Sequence, residues 1–164
     1  MKTCIDKQDC ICKKYSSIPK ECKEELVIRD SGLSVRLNIN SSEKAIAVII
    51  DKCLITDNRT KCDAIFLYEN RTKRVSSLVE LKGFGEIEKA FKQLSKTRER
   101  KEYLNIIECF KSGSSYTQEK FFIVTNGKLK RHEKEKLEKE WSIRVNDIIT
   151  NSAISKIPNL KAYF

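Results

Sequence analysis

The sequence predicts an α/β domain, a mixed β-sheet flanked by helices, in the order helix, several antiparallel strands, helix, strand, helix, strand. Three observations carry that expectation. Strand-like runs recur between residues 33 and 82, separated by turn-forming clusters. The period changes after Gly83 and Gly85, where apolar residues take up helical spacing. An apolar strand, a charged helix and a last strand-like stretch follow, "KFFIVTNG", "RHEKEKLEKEW" and "SIRVNDII". Strand–helix–strand units normally close as parallel crossovers, so antiparallel strands come first and parallel ones after them.

Taken in order, residues 1–18 form a polar, cysteine-rich segment expected to be loosely held, and 19–164 form a single domain. A proline near a mixed-charge stretch predicts a short helix over Pro19–Ile28. Leu33, Val35, Leu37 and Ile39 alternate with polar residues, as one face of a strand does. "AIAVIIDKCLI" reads as a buried strand, and "CDAIFLY" and "VSSLVELK" as two more, joined by the turn "ENRTKR". Ile87, Ala90, Phe91 and Leu94 then mark one face of a helix that is expected to continue through "EYLNIIECF" to "SGSS".

Composition narrows the function classes. Lys and Arg number 33 against 23 Asp and Glu, a formal charge of +10 that favours a polyanionic partner, nucleic acid before acidic membrane. No apolar run approaches the roughly 18 residues that span a bilayer, and the N-terminal stretch lacks a signal-like apolar core. A cytoplasmic protein is therefore expected. Seven cysteines are an odd number, and reduced thiols are expected from them. Cys4, Cys10, Cys12 and Cys22 crowd together, which raises a zinc reading, but their spacing lacks a C-x2-C knuckle. His132 is the only histidine, which excludes a multi-histidine metal site.

The charges inside the strands point to chemistry. In "VSSLVELK", Leu78, Glu80 and Lys82 share one face and Val79 and Leu81 the other, the apolar pair being expected to pack on a helix. A hairpin symmetric about the Arg71–Thr72 bond sets Asp63 opposite Glu80, with Cβ atoms roughly 4.5–5.5 Å apart. Two carboxylates that close repel each other. A hard divalent cation relieves the conflict: Mg²⁺, with Mn²⁺ as a substitute, held by Asp63, Glu80 and the main-chain carbonyl of Leu81. Lys82 is then placed to orient an attacking water and offset charge on phosphorus. The competing explanation is an ion pair between Lys82 and one of the acids, used only for packing.

These residues resemble the PD-(D/E)xK nucleases, the restriction-endonuclease-like superfamily. The likeness rests on Asp63 in "KCDAIFLY", the E-x-K of "VELKG" and the amphipathic helix after it, and it implies the family's αβββαβ restriction-endonuclease-like core over roughly residues 19–126. Cys62 stands where the name of the motif has proline. The resemblance implies metal-binding Asp63 and Glu80, a catalytic Lys82, and a Mg²⁺-dependent endonuclease acting on DNA; RNA stays open as the alternative substrate, since the metal chemistry is the same for both polymers. It implies a restriction, repair, recombination or defence role. Two auxiliary positions are Asp51, which interrupts an apolar strand, and Gln93, which resembles a glutamine of RecB-like members. The tyrosine that often follows four residues later is Thr97 here.

Substrate phosphates are expected to meet Arg71, Lys73 and Arg74 in one turn and Lys128, Lys130 and Arg131 in a later loop. So short a chain is expected to act as a homodimer, as a structure-selective enzyme or as a subunit of a larger complex. The alternatives are a catalytically inactive nucleic-acid-binding module on the same fold, and a cysteine-rich zinc or redox regulator.

Overall fold

A computed structural model describes residues 1–12, 26–112 and 117–164. Within them lie β1 (Val27–Asp30), β2 (Leu33–Arg36), β3 (Lys44–Ile49), β4 (Ala64–Glu69) and β5 (Arg74–Leu81). Then come α1 (Ile87–Arg98), α2 (Lys101–Lys111), β6 (Thr117–Thr125), α3 (Arg131–Glu140) and β7 (Asp147–Thr150). Strands β3 to β7 form one sheet in sequence order. The first three are antiparallel, and β6 and β7 add in parallel beyond β5. The expected mixed sheet is present.

Alternation divides the side chains of the sheet into two cores. Val48, Ile65, Leu67, Leu78 and Ile123 pack with Ala90, Phe91 and Leu94 of α1 and with Tyr103, Ile107 and Phe110 of α2. Ala47, Phe66, Val79, Leu81 and Val124 pack with Ile28, Leu33 and Val35 of the β1–β2 hairpin and with Leu160 near the C-terminus. Each large apolar side chain buried this way stabilises the fold by about 1.5–3 kcal/mol. Among the described residues the helices cover one face and the hairpin the other. Val79 and Leu81 thus pack on the hairpin, not on a helix as expected, and Glu80 faces the helices. Both faces of β5 are buried, so alternation alone does not say which one the helices cover.

The helix expected over Pro19–Ile28 falls mainly outside the described residues, but its last two residues, Val27 and Ile28, are strand. Ser31 and Gly32 take positive φ values of 48° and 80°, as a two-residue hairpin turn between Asp30 and Leu33 demands. That turn converts "VIRDSGLSV" into a hairpin. The single long helix after Gly85 is two helices, broken at Arg100, which is extended at ψ 137°. The Arg100 guanidinium is buried against Asp57, at 2.5 Å, and Glu102, at 3.2 Å.

The cysteines also differ from expectation. Cys4 is disulfide-bonded to Cys109 in α2, and Cys10 to Cys53 in the loop after β3. Cys12 is disulfide-bonded as well, and Cys62 is a buried free thiol. No thiolate is left at Cys4, Cys10 or Cys12 to hold zinc, and Cys22 lies outside the described residues. Nor are residues 1–12 loosely held: Ile5, Cys10 and Ile11 are buried, and Cys12 N–H donates to the Ala47 carbonyl at 2.8 Å. Disulfides accumulate in oxidising surroundings, so one support for a cytoplasmic location is gone. No described helix is long and apolar enough to cross a membrane.

Candidate active site

Asp63, Glu80 and Lys82 come together at one end of the sheet. β4 begins directly after Asp63, and β5 ends directly before Lys82. The hairpin pairs Ala64 with Val79 and Glu69 with Arg74, the register the turn predicted, and its continuation sets Asp63 opposite Glu80. Asp63 is tied to both neighbouring strands. Its Oδ2 accepts from the Leu81 N–H at 2.7 Å, and its carbonyl accepts from the Ile50 N–H at 2.8 Å.

Glu80 is the group that packing does not explain. It is fully buried, and neither carboxylate oxygen has a hydrogen-bond partner. Lys82 Nζ lies 3.7 Å from Oε1, an ion-pair distance beyond hydrogen-bond range. The Asp63 N–H is near enough to favour the charged form but does not meet hydrogen-bond geometry. Burial, then the charge of Asp63, push the Glu80 carboxyl well above the usual carboxylate range, with Lys82 opposing. Burial pushes Asp63 up to about 7 against the Leu81 N–H; Asp30 and Asp51 add to the rise and Lys82 opposes it. Two adjoining acids thus resist ionising together. A buried carboxylate without donors costs several kcal/mol unless a partner cation arrives.

A cavity of about 220 Å³ opens onto Asp63 and Lys82, lined also by Asp51, Gln93, Asp30 and Lys52 among others; Glu80 itself is buried and does not line it. Both auxiliary positions therefore reach the site. Asp51 Oδ1 sits 3.2 Å from Lys61 Nζ, and Gln93 Nε2 donates to the Lys61 carbonyl at 2.9 Å. Thr97 Oγ1 accepts from the Cys62 N–H at 2.7 Å and donates to the Gln93 carbonyl at 2.8 Å. It anchors the backbone before Asp63 to α1. Leu81 turns its side chain into the hairpin-side core, which leaves only its main chain for the site.

Asp30, at the end of β1, is the residue that sequence reasoning missed. It lines the cavity and raises the pKa of both Asp63 and Glu80. The signal was the D-S-G turn, which the helix expected just before it obscured.

The predicted phosphate contacts divide. Lys128, Lys130 and Arg131 are exposed and follow β6, which ends beside Leu81. Phe84 N–H donates to Asn126 Oδ1 at 2.9 Å, so this loop is joined to the segment after Lys82. Arg71, Lys73 and Arg74 lie at the other end of β5, seven residues or roughly 23 Å from the site. Arg74 is also engaged there, with Glu69 at 3.3 Å and the Phe110 carbonyl at 2.9 Å.

Among the described residues, no three Cys, His, Asp or Glu side chains form a metal-holding group. What the site does present is a pair of hard carboxylates, one with both oxygens orphaned, and a main-chain edge. That set fits Mg²⁺, which takes one or two carboxylates and keeps water and substrate oxygens for its other positions. No protein-family model, no curated protein and no solved structure gives a significant match to this chain.

Proposed function

We propose that this protein is a Mg²⁺-dependent phosphodiesterase that hydrolyses nucleic acid, DNA in first place, on a restriction-endonuclease-like core. The observation that carries the reading is Glu80: a fully buried carboxylate with two unpartnered oxygens, 3.7 Å from a lysine and across a hairpin from a second acid. A packing ion pair would close to hydrogen-bond distance and satisfy those oxygens. This geometry leaves them unpartnered, as a cation ligand would be in the absence of its cation.

In this reading Asp63 and Glu80 hold the cation, and the Leu81 N–H keeps the Asp63 carboxylate in place. The chemistry Mg²⁺ supplies when bound is charge neutralisation at the phosphoryl oxygen and acidification of water. Lys82, whose side chain is a quarter exposed and lines the cavity, orients the attacking water and offsets the charge that builds on phosphorus. The water oxygen bonds to phosphorus and releases a proton to solvent as the bond to the leaving sugar oxygen breaks, and that oxygen takes up a proton from solvent. Asp30 and Asp51 add negative charge at the rim and strengthen cation binding.

The test is incubation with supercoiled plasmid, single-stranded DNA, branched DNA and RNA, each with Mg²⁺, Mn²⁺ or chelator. Cutting is expected with either cation, none with chelator, and none from Asp63→Ala or Lys82→Ala. Cutting unchanged in both variants removes the proposal.

A further inference from the structure

We propose that a cationic track along the outer side of α1 seats the phosphate backbone of the nucleic acid on one flank of the scissile bond. It rests on the nuclease reading for the identity of the polyanion and adds where that polyanion lies.

The track is a chain of adjoining cavities. The site cavity shares Asp51 and Gln93 with a second of about 360 Å³, which also touches Arg59, Lys89 and Lys92. That one shares Arg59, Thr60 and Lys92 with a third of about 470 Å³, bounded further on by Lys96 and Arg100. Lys89, Lys92 and Lys96 stand at i, i+3 and i+7 on α1. They span about 10 Å of helix axis, roughly three base-pair rises of a DNA strand.

The ion pairs separate lining from floor. Lys61 and Arg100 are each 10% exposed and committed to Asp51 and to Asp57 with Glu102. They build the floor. Arg59, Lys89 and Lys96 are 75%, 68% and 47% exposed, and each pairs with a carboxylate that is itself exposed. Such surface pairs are worth about 0–1 kcal/mol, so a phosphate displaces them readily. Lys92 lies over the Trp141 ring at 5.7 Å. On the other flank, the cavity of about 560 Å³ holds Arg29 and Lys52 among Ser31, Gly32, Ser34 and Ser155. Asp30 offsets part of the charge there, so α1 carries the larger concentration of cations of these two flanks, and its concave shape suits a polymer backbone better than a flat bilayer.

The experiment measures binding of a labelled DNA duplex by the full chain carrying Lys82→Ala, in chelator, across a salt series. Each phosphate contact contributes about 0.9 to the slope of log K against log salt on duplex DNA. Adding Arg59→Ala, Lys92→Ala and Lys96→Ala together is expected to lower that slope by about 2 to 3. The pair Arg71→Ala and Lys73→Ala, at the far end of the sheet, is expected to leave it unchanged. An unchanged slope in the triple variant overturns the track, as does an equal loss from the far-end pair. Binding to anionic phospholipid vesicles that equals DNA binding, and is lost in the same triple variant, overturns it in favour of a membrane. Because binding is read without cutting, a protein that never cuts leaves this result standing. An unchanged slope in a protein that does cut removes the track alone.

Discussion

If Asp63 is kept for chemistry, removing its charge makes the cation-free protein more stable. Asp63 ionises at about 7 in the fold and near 3.9 in an unfolded chain. Between those values the folded state holds a proton that the unfolded state has released, so stability falls as pH rises through that window and levels off above it. At pH 8 the penalty amounts to about 4 kcal/mol; at pH 4 it is about 0.5 kcal/mol. Asp63→Asn keeps an amide oxygen for the Leu81 N–H, which now meets Oδ2 at 2.7 Å, and removes the ionisation. With water screening part of the effect, the variant is expected to gain about 2–4 kcal/mol at pH 8. At roughly 2–4 °C per kcal/mol for a chain of this size, Tm rises by roughly 4–16 °C. The assay is calorimetry in chelator at pH 8, 6 and 4, with the gap closing at the acid end. Adding Mg²⁺ at pH 8 is expected to raise the Tm of the parent and leave the variant unmoved. A variant less stable than the parent at pH 8, or a gap independent of pH, refutes the argument that burial of this carboxylate is uncompensated.

Thr97→Val deprives the buried Cys62 N–H of the acceptor it meets at 2.7 Å. A loss of about 1–3 kcal/mol in denaturant unfolding and a fall in turnover are expected, whereas Thr97→Ser retains both. Reducing the disulfides Cys4–Cys109 and Cys10–Cys53, with sequence separations of 105 and 43, removes constraints worth about 4–5 kcal/mol each by chain entropy. The Tm in thiol reductant should fall by more than 10 °C, and thiol titration of the unreduced, denatured chain should find fewer than seven free groups. Gly127→Ala would put a Cβ 2.3 Å from Phe84 Cγ, forcing the turn after Lys82 to shift. A cost of about 1–3 kcal/mol is expected, relieved only in part by adding Phe84→Ala, because the Cβ at position 84 would still lie 2.7 Å from the new methyl group.

The core of the site was legible because it is local. The Arg71–Thr72 turn sets the β4–β5 register, and two-residue alternation puts Glu80 and Lys82 on one face. Asp51 was legible as an acid interrupting an apolar strand, and Gln93 through its resemblance to the helix glutamine of RecB-like members. Asp30 was not, since β1 meets the site only when the hairpin folds over the sheet. Nor were the partners of Cys4 and Cys10, which lie 105 and 43 residues away. The turn at Arg71–Arg74 looked as suitable for phosphate as the loop at Lys128–Arg131. Only strand direction separates the end of the sheet that holds the site from the end that does not.

By itself the sequence determined the strand and helix periods, the pairing of one hairpin and the trio Asp63, Glu80 and Lys82. These follow from steric rules that act over a few residues. The tertiary structure alone decided which face of the sheet the helices cover, which cysteines join, and which acids and lysines gather around the trio. Those depend on the path of the chain through space, where residues distant in sequence compete to bury the same surface.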